Sequence, residues 1–262
     1  MGFRYNRLKL AIMKFIIKGH FETAVDTKNI SEFPQIKIND NANLKLIHEE
    51  RVESSRYIPV GFELEIDSDS QSGAEETGRE LLENIVSYFS FHFDVPVYGW
   101  YIKEVQNVEE KKRTGLNTLA CSVFLVRSLD LNKIREFDEE LPKILKPLNS
   151  LNIFCSYNKA LKSTNPEEKF KILYDNILSV LFKKTEEIEK EIIKRRSDLK
   201  KDIKDNQKRE MTIYTAIRHK YHHPTATYFL ADGKKFDMDE ALRENLENFR
   251  KLVREIINDT AV

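Results

Sequence analysis

Cysteine and glycine are scarce in this 262-residue chain, and neither sign of charge is in excess. The two cysteines, Cys121 and Cys155, lack the spacing of metal ligands, and so few thiols are typical of a protein of the reducing cytosol. The eight glycines are scattered, which excludes a Gly-rich phosphate loop and a dinucleotide fingerprint. Because 43 basic side chains balance 43 acidic ones, a general polyanion-coating protein is excluded and any nucleic-acid site must be local.

Long apolar runs are also missing. No stretch approaches the roughly 18 continuous apolar residues of a membrane-spanning helix. The most apolar early segment, residues 8–17, contains Lys9 and Lys14, which is unlike the core of a secretory leader. We therefore expect a soluble, cytoplasmic protein without a membrane partner.

The composition changes near the prolines at 142 and 147. Residues 1–150 carry 20 basic and 24 acidic side chains, and the remainder carries 23 and 19. Before this point, residues 60–67 alternate apolar and acidic or small residues, which predicts a strand, residues 74–91 predict an amphipathic helix, and residues 95–105 and 119–126 predict further strands. We predict an α+β domain over residues 1–148, with a regulatory or sensing role.

Residues 149–262 show apolar residues at helical spacing and almost no strand pattern. The predicted helices span residues 151–161, 166–184, 211–222 and 239–258, which suffices for an all-α four-helix bundle. Within this domain we predict a charged helical insertion at about residues 184–209. The 27 residues 183–209 include 11 basic and 7 acidic ones, and the segment is interpreted either as a solvated, partly disordered charged helix or as an RNA-contacting arm.

Three of the six histidines lie together, at His219, His222 and His223. Pro224 disfavours helical backbone at the residue before it, so the helix should end at or just before His223. Arg218 and His222 then share a face at i and i+4.

Three interpretations of this cluster remain open. Cationic side chains near a helix C-terminus can simply complement the helix dipole. A metal site is disfavoured, because no glutamate of a metalloprotease motif lies between the histidines and no cysteine is near. Histidine and arginine together are also the groups that cleave RNA by acid–base catalysis, with the ribose 2′-hydroxyl as nucleophile and without any metal or other cofactor.

The segment resembles the HEPN superfamily, whose bundle carries arginine, a polar neighbour and, a few residues later, histidine. The matching residues are Arg218, His219 and His223, the resemblance covers about residues 150–262, and residues 158–174 resemble the family's first turn and second helix. The whole layout is similar to the group around the methylamine-utilisation protein MauJ and to HEPN proteins of antiphage defence.

The resemblance implies a metal-independent endoribonuclease whose composite site forms when two bundles pair. Arg218 would then hold the phosphate, His223 would act as general acid or base, and His219 would orient them. His222 is an additional histidine beside this motif, and we include it among the candidate catalytic residues.

The family's pattern is not matched throughout. Many relatives carry a glutamate late in the second helix, where this chain has Leu178, and the nearest acidic residue is Asp175. Two further residues are candidate RNA contacts: Lys220 adds positive charge, and Tyr221 either stacks on a base or packs on the bundle.

We therefore expect a cytoplasmic homodimeric endoribonuclease of a defence or toxin type. It would act on RNA, pair through its helical domain and be controlled through the first domain, with a regulatory protein as a possible partner. The alternative is a non-catalytic adaptor, or a module that binds nucleotides or RNA.

Overall fold

The computed structural model describes residues 12–23, 25–26, 35–48, 58–110, 113–115, 127–128, 131–144, 148–205 and 207–261. The chain is mixed α+β, as predicted, and divides into two compact units, Met1–Leu151 and Asn152–Val262. The predicted boundary, after residue 148, lies at the start of helix α3 (Leu148–Lys162). Across these ranges, no helix is both long enough and apolar enough to cross a bilayer.

A six-stranded antiparallel sheet organises the first unit. Its strands are β1 (Met13–Thr23), β3 (Gln35–Asn39), β4 (Ala42–His48), β5 (Ile58–Ser68), β6 (Val97–Asn107) and β7 (Arg113–Gly115). They lie in the order β3-β4-β5-β1-β6-β7. Two short strands, β2 (Val25–Asp26) and β8 (Arg127–Ser128), form a separate parallel pair.

Alternation along the strands determines which face of the sheet is buried. On β1, the side chains of Phe15, Ile17 and Phe21 are buried, whereas Lys14 and Lys18, at alternating positions on the other face, form ion pairs with glutamates of β5. The predicted strands at residues 60–67 and 95–105 are confirmed as β5 and β6. The strand predicted at residues 119–126 lies outside the described residues.

Helix α1 (Gln71–Phe93) packs on this sheet and confirms the helix predicted at residues 74–91. The hydroxyl of Ser70 caps its start by accepting a hydrogen bond from the Gly73 amide at 3.2 Å. Helix α2 (Leu131–Ile144) packs on α1, with the Phe137 ring stacked 5.4 Å from that of Tyr88.

The helices of the second unit surround an aromatic core. After α3 come α4, which starts at Pro166, α5 (Thr185–Arg195), α6 (Ile213–His222) and α7 (Met238–Ala261). Helices α3, α4, α6 and α7 confirm the four predicted helices, and α5 lies in the charged segment between the second and third of them. Helix α4 begins at Pro166–Lys171, continues as a π-helix over Ile172–Leu178 and ends with the turn Ser179–Leu181. The Phe249 ring of α7 lies 4.6 Å from the rings of both Phe170 and Tyr214.

The second unit is not all-helical, which corrects the prediction of an all-α bundle. Strands β9 (Ile203–Asp205), β10 (Glu210–Met211) and β11 (Tyr228–Phe229) form a small antiparallel sheet in the order β10-β9-β11. The charged segment at residues 184–209 is likewise not one helical insertion, because α5 ends at Arg195 and β9 follows.

These strands escaped prediction because two or three residues are too few to show alternation. The turn between β9 and β10 depends instead on one side chain. The Asp205 carboxylate accepts hydrogen bonds from the amides of Gln207 and Arg209, both at 2.9 Å. Lys208 takes the left-handed conformation, with φ of 62°, which lets the chain reverse direction.

Candidate functional site

Helix α6 carries the candidate residues, and it is fixed at both ends. At its start, Thr212 accepts a hydrogen bond from the Thr215 amide at 3.4 Å, and the Thr212 amide donates to Glu189 of α5 at 3.0 Å. At its end, the His223 amide donates to the His219 carbonyl at 2.8 Å, and the helix stops at His222 as Pro224 predicted. The histidine cluster is therefore held on the last two turns of a capped helix.

The cluster divides between two adjacent faces of α6. Since each residue of an α-helix turns the chain by about 100°, positions 218 and 222 point one way and positions 219 and 223 point another. Arg218 and His222 contact α4, whereas His219 and His223 line a cleft beside β9 and β11.

Asp175 joins the two residues of the first face. The Arg218 Nε donates to Asp175 Oδ1 at 3.2 Å, and His222 Nε2 lies 3.2 Å from Asp175 Oδ2. The three side chains are partly exposed, at 25% for Arg218, 20% for Asp175 and 42% for His222. A guanidinium and an imidazole therefore meet on one carboxylate at the protein surface.

The π-helical part of α4 presents this carboxylate. Asp175 lies within Ile172–Leu178, where the Ser179 amide reaches back five residues to the Tyr174 carbonyl. A π-helical turn is wider than an α-helical one, and such turns are frequent at functional sites. The Arg218 guanidinium also lies over the Tyr174 ring, 5.3 Å from its centroid, and burial raises the pKa of Tyr174 to about 12. Tyr174 therefore packs under Arg218 as a neutral phenol.

The guanidinium of Arg218 is only partly used by the protein. Its Nε binds Asp175, and its two terminal amino groups have no hydrogen-bond partner in the part of the chain that the structure describes. A guanidinium fork of this kind matches the geometry of two phosphate oxygens.

The second face opens on a cleft of about 360 Å³. Its lining combines polar and cationic side chains with small or aromatic ones: Asp205, Gln207, Arg209, His219, His223, Ala226, Thr227 and Tyr228. The rings of His219 and His223 are 6.5 Å apart and perpendicular. Burial lowers the pKa of His219, and the positive charges of Arg218 and Arg209 lower it further. His219 is therefore a neutral imidazole at pH 7.

The structure does not join Arg218 to His223 within one copy of the chain. Arg218 is paired with Asp175, which also binds His222, and none of the described contacts connects Arg218 to His223. His222, which the family motif does not use, is the histidine next to the candidate phosphate-binding arginine. His219, the expected orienting residue, faces the cleft.

The two candidate RNA contacts both have protein partners. The Lys220 ammonium donates to the carbonyls of Pro224 and Ala226, at 2.5 and 2.7 Å, and so holds the loop after α6. The Tyr221 ring stacks on that of Phe170, 6.1 Å between centroids, and its buried hydroxyl has no hydrogen-bond partner among the described residues. The structure thus places Tyr221 against the unit's aromatic core.

Sequence reasoning missed the residues that β9 and its turn bring to the cleft, above all Arg209 and Asp205. The Arg209 Nε donates to Asp205 Oδ2 at 2.6 Å. The two residues are four apart in a segment interpreted as helix, and the spacing alone carried no sign of a cleft. Within the described ranges, no three His, Cys, Asp or Glu side chains are grouped so as to hold a metal ion.

Comparisons of the chain with protein-family models, with curated proteins and with solved structures found no match. The resemblance to the HEPN superfamily therefore depends on the residues and helix positions described above.

Proposed function

We propose that the chain is a metal-independent endoribonuclease of the HEPN type that works as a homodimer. One observation carries the proposal: the Asp175 carboxylate binds both Arg218 and His222, each at 3.2 Å, on the accessible end of α6. Asp175 is an acidic residue on the helix where the family has its glutamate, three positions before Leu178.

The chemistry needs a cation for the phosphate and groups that move two protons. The terminal amino groups of Arg218 bind the non-bridging oxygens and stabilise the charge that develops on them. One histidine removes the proton of the ribose 2′-hydroxyl, whose oxygen attacks phosphorus. As the bond from phosphorus to the 5′-oxygen breaks, a second histidine protonates that oxygen. The products are a 2′,3′-cyclic phosphate and a 5′-hydroxyl, and DNA is inert because it lacks the 2′-hydroxyl.

Dimerisation supplies the second set of groups. Arg218 and His222 lie on one face of α6 and His223 on the next, so one copy presents a single arginine and a single adjacent histidine. Two copies that meet at this end of α6 bring two arginines and several histidines to one phosphate. In this proposal the first unit controls activation or the choice of a protein partner, and the enzyme acts in the cytoplasm as a defence or toxin-type effector.

Cleavage of total RNA in EDTA tests the proposal. We expect the wild type to cut RNA and leave 2′,3′-cyclic phosphate ends, and we expect Arg218→Ala to cut at least about 100-fold more slowly, since a charge-stabilising donor is lost. His222→Ala and His223→Ala, with thermal melting to verify folding, identify the histidines that move protons.

Arg196→Ala is the matched control. Arg196 is also a partly exposed arginine that binds one carboxylate, that of Glu255 at 2.7 Å, and it does not line the candidate site. The Arg196→Ala variant should cleave RNA at the rate of the wild type. Intact RNA beside a working control ribonuclease would contradict the proposal, and so would equal cleavage by Arg218→Ala.

The second candidate function is a non-catalytic module that binds RNA or nucleotides. The cleft favours it, because His219, His223 and Arg209 can bind a phosphate without any proton transfer. In that case RNA remains intact with the wild type and with every variant. Filter binding should then show that the protein retains RNA and that a substitution of Arg209 weakens this retention.

A further inference from the structure

The loop after α6 begins with a tight turn at residues 223–226. The His223 amide ends the helix by donating to the His219 carbonyl at 2.8 Å, and the His223 carbonyl accepts from the Ala226 amide at 3.0 Å. Pro224 occupies the second position of this turn, where its fixed φ is favoured. His223 is therefore shared by the end of the helix and the turn.

The imidazole of His223 has no hydrogen-bond partner among the described residues. Its neighbour is the His219 ring, 6.5 Å away between centroids and perpendicular to it, and both side chains line the cleft. A side chain without such a bond is oriented only by its rotamer and by the backbone that carries it. The direction of the His223 imidazole thus depends on how firmly the turn is held.

Lys220 holds this turn from the last turn of α6. Its ammonium donates to the Pro224 carbonyl at 2.5 Å and to the Ala226 carbonyl at 2.7 Å. Within the part of the chain that the structure describes, no other side chain forms a hydrogen bond with residues 224–227. The charge also lies at the C-terminal end of α6, where the helix dipole favours a cation. One ammonium group therefore joins the helix to two carbonyls of the loop.

The same loop forms part of the cleft. Ala226 and Thr227 line it together with His223, so a loosened turn would displace the wall and the histidine at the same time. A general acid or base must lie within hydrogen-bond reach of the proton that it moves, and a displacement of about 1 Å can lower a rate about 100-fold. A fixed turn is therefore a requirement for proton transfer by His223.

We propose that Lys220 is a positioning residue, whose ammonium fixes the 223–226 turn and thereby orients the His223 imidazole. The inference rests on the proposed function for the role of His223 as general acid or base. It adds that a lysine which touches no RNA determines the rate of cleavage. A lysine that bound the phosphates of RNA would instead determine affinity, so the two roles of Lys220 change different kinetic constants.

The kinetics of RNA cleavage by Lys220→Met test the proposal, because methionine keeps an unbranched apolar side chain and removes the charge. We expect kcat to fall about tenfold or more and KM to stay within about twofold, since substrate contacts are kept. The salt dependence of RNA binding should keep its slope. An unchanged kcat would overturn the proposal. A raised KM with a slope reduced by about one would make Lys220 an RNA contact and would also overturn it.

Two companion variants separate the position of the charge from its presence. Lys194 also lies in the last turn of a helix, α5, and pairs with Glu191 at 3.5 Å. Lys194→Met should cleave RNA like the wild type, and a loss equal to that of Lys220→Met would contradict the proposal. Lys220→Arg keeps a cation near the two carbonyls and should retain more activity than Lys220→Met. An equal loss in both would contradict a role for the cation. Thermal melting verifies that each variant folds.

A structural measurement does not depend on cleavage. Hydrogen exchange of the Ala226 amide reports the bond that closes the turn, and the NMR signals of the His223 ring report its surroundings. In Lys220→Met the amide should exchange about tenfold faster or more, and the ring signals should shift, because the bonds from a charged group are lost. Both should be unchanged in Lys194→Met. Unchanged exchange and ring signals in Lys220→Met would overturn the proposal.

Failures of the two proposals are distinguishable. If the wild type leaves RNA intact, the nuclease proposal fails, and hydrogen exchange and the ring signals alone decide whether Lys220 orients His223. If the wild type cuts RNA and Lys220→Met has the same kcat, the nuclease stands and the positioning role fails.

Discussion

Arg218 and Arg250 both bind a carboxylate in the second unit, but the protein uses their guanidinium groups to different extents. Arg250, on α7, is only 5% exposed. Its Nε and one terminal amino group bind both oxygens of Glu247, and its other amino group donates to the Tyr157 hydroxyl at 2.8 Å. Arg218 is 25% exposed and makes one hydrogen bond, to Asp175.

The difference separates an arginine that stabilises the fold from one that can bind a ligand. When every nitrogen of a buried guanidinium has a protein partner, nothing remains for a substrate, and removal of the side chain leaves partners unpaired. When only Nε is bound, the protein orients the group and leaves the fork open. Arg209, held by Asp205 through Nε, belongs to the second class.

The largest expected effect on stability is that of Arg250→Ala. It should lower the free energy of unfolding by about 3 kcal/mol, because a buried hydrogen bond to the Tyr157 hydroxyl is lost and a packed side chain is removed. Arg218→Ala, at a partly exposed site, should cost less than about 1 kcal/mol. Urea unfolding of both variants measures the difference, and equal losses would contradict the distinction between the two arginines.

Asp205→Asn should have the next largest effect, a loss of about 1–2 kcal/mol, because a charge-assisted bond to Arg209 is weakened. The folded-state pKa of Asp205 is lowered from 3.8, so its contribution is present above that pH and is lost as the pH falls through the folded value. Unfolding curves of the wild type and the variant should therefore converge in acid. A constant gap at every pH would show that the charge is not responsible.

His219→Gln should change stability by less than about 1 kcal/mol, and only in acid. The folded-state pKa of His219 is lowered from 6.5, so the unfolded chain binds the proton more readily and the wild type loses stability as the pH falls below 6.5. The variant lacks this loss. Thermal melting at pH 7.5 and pH 5.5 measures it, and an equal decrease in both proteins would assign the pH dependence to other groups.

Lys204→Ala should have the smallest effect, below about 0.5 kcal/mol. Lys204 and Glu210 form a 3.0 Å ion pair across β9 and β10, with both side chains about half exposed, and such pairs contribute little. Urea unfolding checks this value. A loss of stability as large as that of Asp205→Asn would mean that the exposure of an ion pair does not determine how much it contributes to stability.

The long elements of the fold were predictable from local pattern. Apolar and polar or small residues alternate strictly over residues 60–67, which excludes a helix there. In α7, apolar residues recur at helical spacing over many turns, which excludes a strand. The strands β9 to β11 were not predictable, because their pairing depends on the turn at Asp205 and on a partner strand more than 20 residues away. Tertiary contact decided their structure.

The site was also predictable only as far as local residue spacing determines it. The spacing of Arg218 and His222 indicated a shared helical face, and Pro224 indicated where the helix ends. Asp175 was identified only as the nearest acidic residue. That it binds both side chains follows from the π-helical turn and from the packing of α4 beside α6.

Composition and neighbours within a few positions were enough to predict that this chain is α+β, that its second half is largely helical and that cationic residues cluster at one helix end. The connection of Arg218 to His222 through Asp175, and the cleft that His219 and His223 share with Arg209, follow from the packing of elements that are distant in the sequence. Successive residues of an α-helix are rotated by about 100° about its axis and therefore face different neighbours. The partner of each cationic side chain thus depends on which element packs against its face of the helix.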